Sequence, residues 1–308
     1  MTSRMRRSQK QTKILRTIAG CLLSFAATTG VVAQTPVERG RYLVNTIMAC
    51  GNCHTPKDSM GVPIQSKDLS GGLSFNTPNF AGIASNITPD PETGIGSWSD
   101  GDIKRAIMEG VRPAGARLPG VPLSDVMPFH FYKALTPSDA DAIVAYLRAM
   151  PAVHNAVAGP NYKGPAGTDF YPDAEAGFTA ASLSDPARRG AYLATLGHCM
   201  GCHSTRTRGV SDYKNGFGKG GRAFTPAVTT GYPASWQGAV ATNITSHARA
   251  GIGAWTDGEI KRALTGGVSR DGRPLKTPMI DHAPYFRLMS ESDLDAIVAW
   301  LRTVPPLE

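Results

Sequence analysis

An internal duplication constrains the fold of this 308-residue chain more than any other feature. Gly-Ile-Gly-Ser-Trp at 94–98 returns as Gly-Ile-Gly-Ala-Trp at 251–255. Asp-Ala-Ile-Val-Ala-Tyr-Leu-Arg at 141–148 returns at 295–302 with Trp in place of Tyr. The offset between matched residues runs from 149 to 157 and then to 154 along the chain. Such drift indicates loops of different length inside one duplicated unit, and it argues against a short-period solenoid.

Each copy contains one Cys-Xaa-Xaa-Cys-His motif. Two thiols three positions apart lie one helical turn apart, so both reach the two vinyl groups of one porphyrin while the adjacent His projects toward the iron. A zinc site shared by four cysteines would leave both histidines unexplained. The His directly after each pair argues against a disulfide framework, and a thioredoxin-like motif would not repeat it. We therefore predict two covalently bound haem c groups, held by Cys50, Cys53, Cys199, Cys202, His54 and His203.

Start and stop signals predict helices in both copies. Ser99 with Asp102, and Thr256 with Glu259, have the spacing of a capping box. Apolar residues at helical spacing follow the first pair, and Gly110 is a suitable stop. Each unit is expected to contain a helix running into the Cys-His motif, long loops, a middle helix and a final helix.

Each unit resembles a class I cytochrome c domain, and the chain after residue 33 is similar to diheme cytochrome c subunits of periplasmic dehydrogenases. The similarity is carried by Asn-Ile-Thr-Pro at 86–89, by Gly-Ile-Gly-Xaa-Trp at 94–98, and by a Met-containing loop before the final helix. The resemblance implies an all-α chain of two tandem cytochrome c domains, at 34–150 and 185–308. A linker rich in Pro, Gly and Ala spans 151–184.

The same resemblance places a Met ligand on the second face of each haem iron. Met127 and Met279 occupy the loop before the final helix and are the candidates. A thioether is a soft ligand that raises the reduction potential. Both loops also repeat a His three residues later, at His130 and His282, so ligation by His stays open.

The N-terminal segment has the pattern of an export signal. Residues 1–33 contain six basic residues and no acid, then an apolar run, then small residues that suit cleavage after Ala33. The expected mature protein is periplasmic. From Gln34 onward 26 basic residues face 24 acidic ones, so no electrostatic attraction to nucleic acid is expected.

Two six-coordinate haem groups favour an electron carrier over an enzyme. We expect electrons to pass from a periplasmic dehydrogenase to a small cytochrome or a terminal oxidase. The alternative is a diheme redox enzyme of the peroxidase or thiosulfate-oxidising type. Family members that serve quinoprotein alcohol dehydrogenases usually carry three haem motifs and a membrane-binding tail, whereas this chain has two motifs, so membrane contact is left open.

Overall fold

The computed structural model describes residues 34–77, 79–116, 120–164, 170–207, 209–226 and 235–308. The predicted export signal at 1–33, with its cleavage site after Ala33, lies outside these ranges. Residues Gln34–Glu308 form one unit by their internal contacts. None of the helices in the described ranges combines the length and the apolar character that crossing a membrane requires. The predicted domain boundaries at 150 and 185 remain predictions.

Helices carry the architecture, and the two halves of the described chain repeat them in the same order. The N-terminal half contains α1 Pro36–Asn45, α2 Cys50–His54, α3 Asp100–Glu109, α4 Phe129–Tyr132 and α5 Pro137–Ala149. Between the halves lies α6 Pro172–Ala176. The C-terminal half contains α7 Pro186–Leu196, α8 Cys199–His203, α9 Asp257–Gly266, α10 Ala283–Phe286 and α11 Glu291–Thr303.

The helix boundaries follow from local chemistry. The capping boxes predicted at Ser99 and Thr256 are both formed, so α3 and α9 begin where the sequence indicates. Gly110 follows α3 in the left-handed conformation with φ 69°, which is the predicted stop. Thr136 caps α5, and Pro137 occupies its first turn, where the missing N–H has no helical partner to lose.

A close helix crossing organises the core of each half. A Cβ atom added at Gly40 in α1 would lie 1.9 Å from the carbonyl oxygen of Ala142 in α5. The matching Gly190 in α7 has the same 1.9 Å relation to Ala296 in α11. Only glycine permits this approach, because any side chain would overlap backbone atoms. The first and last helices of each half therefore pack backbone against backbone.

The all-α expectation is incomplete, because the long loops contain short antiparallel strands. One sheet has the order β1–β2–β3, and β4 pairs with β5 and β6 with β7. These elements pair backbone groups that would otherwise be left without partners where loops fold over the core. The strands are β1 Ser74–Asn76, β2 Phe80–Ile83, β3 Asn161–Tyr162, β4 Arg206–Thr207, β5 Val210–Ser211, β6 Ala223–Phe224 and β7 Ala239–Val240.

The segment predicted as a linker contacts both halves. Its β3 residue Asn161 pairs with Ala81 of β2 in the N-terminal half. Its Phe178 ring lies 5.2 Å from the ring of Tyr192 in α7. Phe178 is buried, with 7% of its surface exposed. The segment therefore packs onto both halves through these residues.

Candidate haem sites

Both Cys-Xaa-Xaa-Cys-His motifs fold as one short helix after a sharp turn. Ala49 precedes α2 with φ 47°, and His198 precedes α8 with φ 42°. Positive φ is uncommon for residues other than glycine, and here it redirects the chain from α1 into α2 and from α7 into α8. The two cysteines of each motif then lie one helical turn apart, as the sequence predicted.

A loop carbonyl orients the histidine of each motif. The Nδ1 atom of His54 lies 2.7 Å from the carbonyl oxygen of Ser85. The Nδ1 atom of His203 lies 2.8 Å from the carbonyl oxygen of Thr242. A carbonyl only accepts, so Nδ1 carries the proton and Nε2 keeps its lone pair for a metal. Burial lowers the pKa of both histidines, which keeps them neutral as a metal ligand must be.

The loop that supplies the first carbonyl is held by Asn86. Its side-chain oxygen accepts hydrogen bonds from the backbone N–H and the hydroxyl of Thr88, at 2.9 and 2.8 Å. Its amide group donates to the Thr93 hydroxyl and to the Val153 carbonyl, at 3.0 and 2.8 Å. The buried amide thus ties the Ser85 loop to the chain beyond α5.

Asn243 repeats this arrangement in the C-terminal half. Its side-chain oxygen accepts from the backbone N–H of Thr245 at 2.8 Å, and its amide donates to the carbonyl of Leu307 at 2.7 Å. Thr242, the residue before it, supplies the carbonyl for His203. The repeated Asn-Ile-Thr segments therefore orient the two motif histidines.

The motif cysteines fit covalent haem attachment. All four are reduced and half-buried. Burial raises the pKa of Cys50 and Cys199 to about 12 and that of Cys53 to about 11, which indicates a poorly hydrated environment suited to a porphyrin. Within the described ranges no three His, Cys, Asp or Glu side chains lie together as ligands of a metal ion. The four cysteines accordingly do not converge on a shared zinc site.

The candidate axial methionines lie at the entrance to the short helices before α5 and α11. Met127 lies two residues before α4, and Met279 is the first residue of the 3-10 helix Met279–His282. Both methionines pack against the buried core. His130 lies in α4, and His282 directs its Nδ1 atom to the carbonyl of Pro278 at 3.1 Å. The choice between Met and His ligands stays a prediction.

Each motif helix also packs against an aromatic ring from the other half. A Cβ atom added at Gly201 in α8 would lie 2.8 Å from the ring of Phe131 in α4. One added at Gly51 in α2 would lie 3.2 Å from the hydroxyl of Tyr285 in α10. The glycine between the two cysteines is what allows this approach. The haem motifs therefore face the contact between the halves.

The sequence did not identify these cross-half contacts or the carbonyls of Ser85 and Thr242. A backbone carbonyl has no sequence signature of its own. The repeated Asn-Ile-Thr pattern lies next to it, and that pattern by itself indicates only a loop fixed by side-chain hydrogen bonds of the asparagine. The tryptophans of the Gly-Ile-Gly-Xaa-Trp repeats, Trp98 and Trp255, pack against the core.

Comparison with known proteins gives these sites their class. Residues 187–305 match the cytochrome c family. The chain is 29% identical over 306 residues to the gluconate 2-dehydrogenase cytochrome c subunit of Pantoea cypripedii. That alignment covers 94% of this chain and 64% of the relative. The predicted resemblance to cytochrome c subunits of dehydrogenases is confirmed.

Two further relatives show the same similarity over most of the chain. A nicotinate dehydrogenase subunit of Pseudomonas putida is 30% identical over an alignment of 285 residues, which covers 87% of this chain and 21% of the relative. A diheme cytochrome c-type protein of Cereibacter sphaeroides is 26% identical over 272 residues, covering 84% of this chain and 83% of the relative. The chain spans less than two thirds of the length of the two dehydrogenase subunits.

Proposed function

We propose that this protein is a diheme cytochrome c that relays electrons from a dehydrogenase to a downstream acceptor. One observation carries the proposal. Both Cys-Xaa-Xaa-Cys-His motifs fold alike, and in both a loop carbonyl orients the His so that Nε2 is left for iron. When bound, a haem c supplies reversible one-electron chemistry at its iron.

The second haem of the pair is supported by the repetition itself. The family match covers the C-terminal motif at 199–203, and α2 repeats the turn, the thiol spacing and the histidine orientation of α8. The diheme relative spans both halves of this chain. Two haem groups are therefore proposed, one attached through Cys50 and Cys53 and the other through Cys199 and Cys202.

The chain's own residues supply positioning and a fixed environment. The carbonyls of Ser85 and Thr242 hold the histidine rings, and Met127 and Met279 are the proposed second ligands. With both residues bound, the iron of each haem would offer no open position to a substrate, which is why a carrier is proposed and not an enzyme. The names of the relatives favour a dehydrogenase as electron donor. The proposed acceptor is a small cytochrome or a terminal oxidase.

Export to the periplasm is part of the proposal. The N-terminal pattern at 1–33 supports it. Cleavage after Ala33 would give a mature protein beginning at Gln34. Sequencing the N-terminus of the protein purified from a periplasmic extract tests this point, and a chain that keeps residues before Val31 would reject the site.

The haem content of the purified protein tests the function. Mass spectrometry of the mature chain should show two added haem masses, and acid-acetone extraction should leave the colour on the polypeptide. The Cys53→Ala variant should keep at most one thioether in the N-terminal half and leave the other half unaffected. A chain that loses its colour on extraction refutes covalent attachment.

Kinetics separate the carrier from the enzyme. The reduced protein should pass electrons to an oxidised soluble cytochrome c on mixing, and the oxidised protein should show low-spin ferric spectra. A high-spin ferric spectrum with rapid peroxide turnover would show instead that the protein is a diheme peroxidase.

A further inference from the structure

The two haem motifs differ in the charges around them. The difference lies at residues that occupy equivalent positions in the two halves. The backbone N–H of Ala84 donates to the carbonyl of Leu73 at 2.9 Å, and the N–H of Ala241 donates to the carbonyl of Arg222 at 2.9 Å. Each carbonyl lies just beyond the glycine pair that follows its motif. Leu73 and Arg222 therefore occupy the same place in the two halves.

Arg222 reaches directly into the second motif. Its Nη1 atom donates to the carbonyl oxygen of Gly201, which lies between the two cysteines of α8. Its guanidinium stacks over the ring of Phe224, 4.9 Å from the centroid. The charge is therefore held at the motif by a hydrogen bond and a ring contact, while Leu73 brings no charge to the first motif.

A second equivalent pair adds to the imbalance. The N–H of Ile87 donates to the carbonyl of Leu69 at 2.9 Å, and the N–H of Ile244 donates to the carbonyl of Gly218 at 2.8 Å. Leu69 and Gly218 therefore occupy the same place in the two halves. The residues just before them, Asp68 in the first half and Phe217 in the second, are equivalent as well.

Asp68 is fixed close to the first motif, because its Oδ1 atom accepts a 2.6 Å hydrogen bond from the hydroxyl of Thr55, the residue after His54. Phe217 has no charge, and its ring lies 6.4 Å from that of Trp300. The first half thus has a carboxylate where the second half has an aromatic ring.

A third pair does not differ in charge. Lys57 follows the first motif and Arg206 follows the second, each three residues after the motif histidine. The Nζ atom of Lys57 donates to the side-chain oxygen of Asn52, between the two cysteines of α2, at 3.3 Å. These three matched positions therefore hold one cation and one carboxylate in the first half, against two cations in the second.

We propose that this asymmetry gives the haem at Cys199 and Cys202 the higher reduction potential, so that electrons enter at the N-terminal haem and leave from the C-terminal one. The proposal rests on the proposed function and adds a direction to it. Reduction of a ferric haem adds one electron, and a nearby positive charge stabilises the product while a nearby carboxylate opposes it. One electron from the dehydrogenase reduces the first site, which returns to the ferric state when the second site takes that electron.

Reciprocal charge exchange tests the order on the holoprotein. Optical redox titration of the wild type should resolve two one-electron couples. Arg222→Leu should lower only the higher couple, and Leu73→Arg should raise only the lower one. At a fixed applied potential, each change should alter the reduced-to-oxidised ratio of the affected haem about three- to tenfold. A tenfold change in this ratio corresponds to a shift of about 59 mV in the midpoint potential of a one-electron couple.

Two milder variants keep the test independent of folding defects. Asp68→Asn preserves an oxygen for the Thr55 hydroxyl and removes the charge, so it should raise the lower couple. Arg222→Lys keeps the charge and should leave both couples within about twofold of the wild-type ratio. A loss seen with both Arg222 variants would assign the effect to packing and overturn the proposal.

The outcomes separate this inference from the proposed function. If Arg222→Leu lowers the lower couple, or if the wild type titrates as two equal couples, the direction is wrong while the diheme carrier stands. If the purified chain carries no covalent haem, no couple is seen and the proposed function fails first. A shift of the higher couple by Arg222→Leu together with a shift of the lower by Asp68→Asn establishes the order.

Discussion

The hydroxyl of Tyr42 in α1 donates a 2.5 Å hydrogen bond to the carboxylate of Asp293 in α11, on the opposite half of the protein. The equivalent hydroxyl of Tyr192 in α7 donates a 2.6 Å hydrogen bond to Asp139 in α5. The two bonds cross the contact between the halves in opposite directions. The duplicated halves therefore meet through the same pair of residues used twice, as the subunits of a twofold dimer do.

Each of these acids is also paired with an arginine of its own half. Arg39 forms two hydrogen bonds to Asp139, both at 2.8 Å. Arg189 lies 2.5 Å from Asp293. Asp293 is 1% exposed and Asp139 is 6% exposed, so both carboxylates depend on these protein partners to offset the hydration they lose on burial.

Removing the crossed hydroxyls should weaken the contact between the halves. Tyr42→Phe and Tyr192→Phe should each lower the free energy of unfolding by about 1.5–3 kcal/mol, because each leaves a buried carboxylate with one donor fewer. Urea unfolding followed by circular dichroism measures the loss. Tyr162→Phe is the matched control, since its hydroxyl bonds an exposed carbonyl, and it should change stability by less than about 0.5 kcal/mol. Unchanged stability in both buried variants would contradict the crossed contact.

Acid should destabilise the same contact. Burial alone would raise the pKa of Asp139, but the Arg39 guanidinium and the Tyr192 hydroxyl outweigh it and lower the pKa below the ordinary value of 3.8. A depressed folded-state pKa adds stability above the unfolded value, and that stability is lost as the pH falls through the folded value. The free energy of unfolding should therefore decline below about pH 4. Asp139→Asn should be less stable at neutral pH and show a shallower decline, and an equally steep decline would refute the assignment.

The axial ligands should show a spectroscopic signature. If Met127 and Met279 bind iron, the oxidised protein has a weak near-infrared Met-to-iron(III) band with the intensity of two haems. Each single change to Ala should remove about half of that band and lower one potential, because the soft thioether favours ferrous iron. Met60→Ala is the control, since Met60 is 82% exposed. A low-spin protein without the band would assign the ligands to His130 and His282.

The asparagine loops should be as important as the crossed hydroxyls. Asn86→Ala and Asn243→Ala should each lower the free energy of unfolding by about 1–3 kcal/mol, because buried backbone groups lose their partners. The exposed Asn215→Ala is the control, with an expected change below about 0.5 kcal/mol. Thermal unfolding of the three variants side by side measures the difference. Equal stability of all three would show that the loops are held by other contacts.

Local sequence patterns determined the helices and the identity of the motif residues. Capping at Ser99 and Thr256, the stop at Gly110 and the start at Pro137 are set within one helical turn, so they could be predicted from neighbouring residues. The Cys-Xaa-Xaa-Cys-His spacing likewise depends on one turn of helix. Such features involve atoms a few bonds apart, and the rest of the chain has little influence on them.

Contacts between distant residues were decided by the tertiary structure. Tyr42 and Asp293 are separated by 251 positions, and the repeat identifies both without indicating that each half bonds the acid of the other. Matched backbone hydrogen bonds show that Leu73 and Arg222 are equivalent residues of the two halves. The difference in charge between the two motifs follows from that comparison. Which side chains face a motif depends on how loops close over a packed core, because that packing brings together groups that the sequence keeps apart.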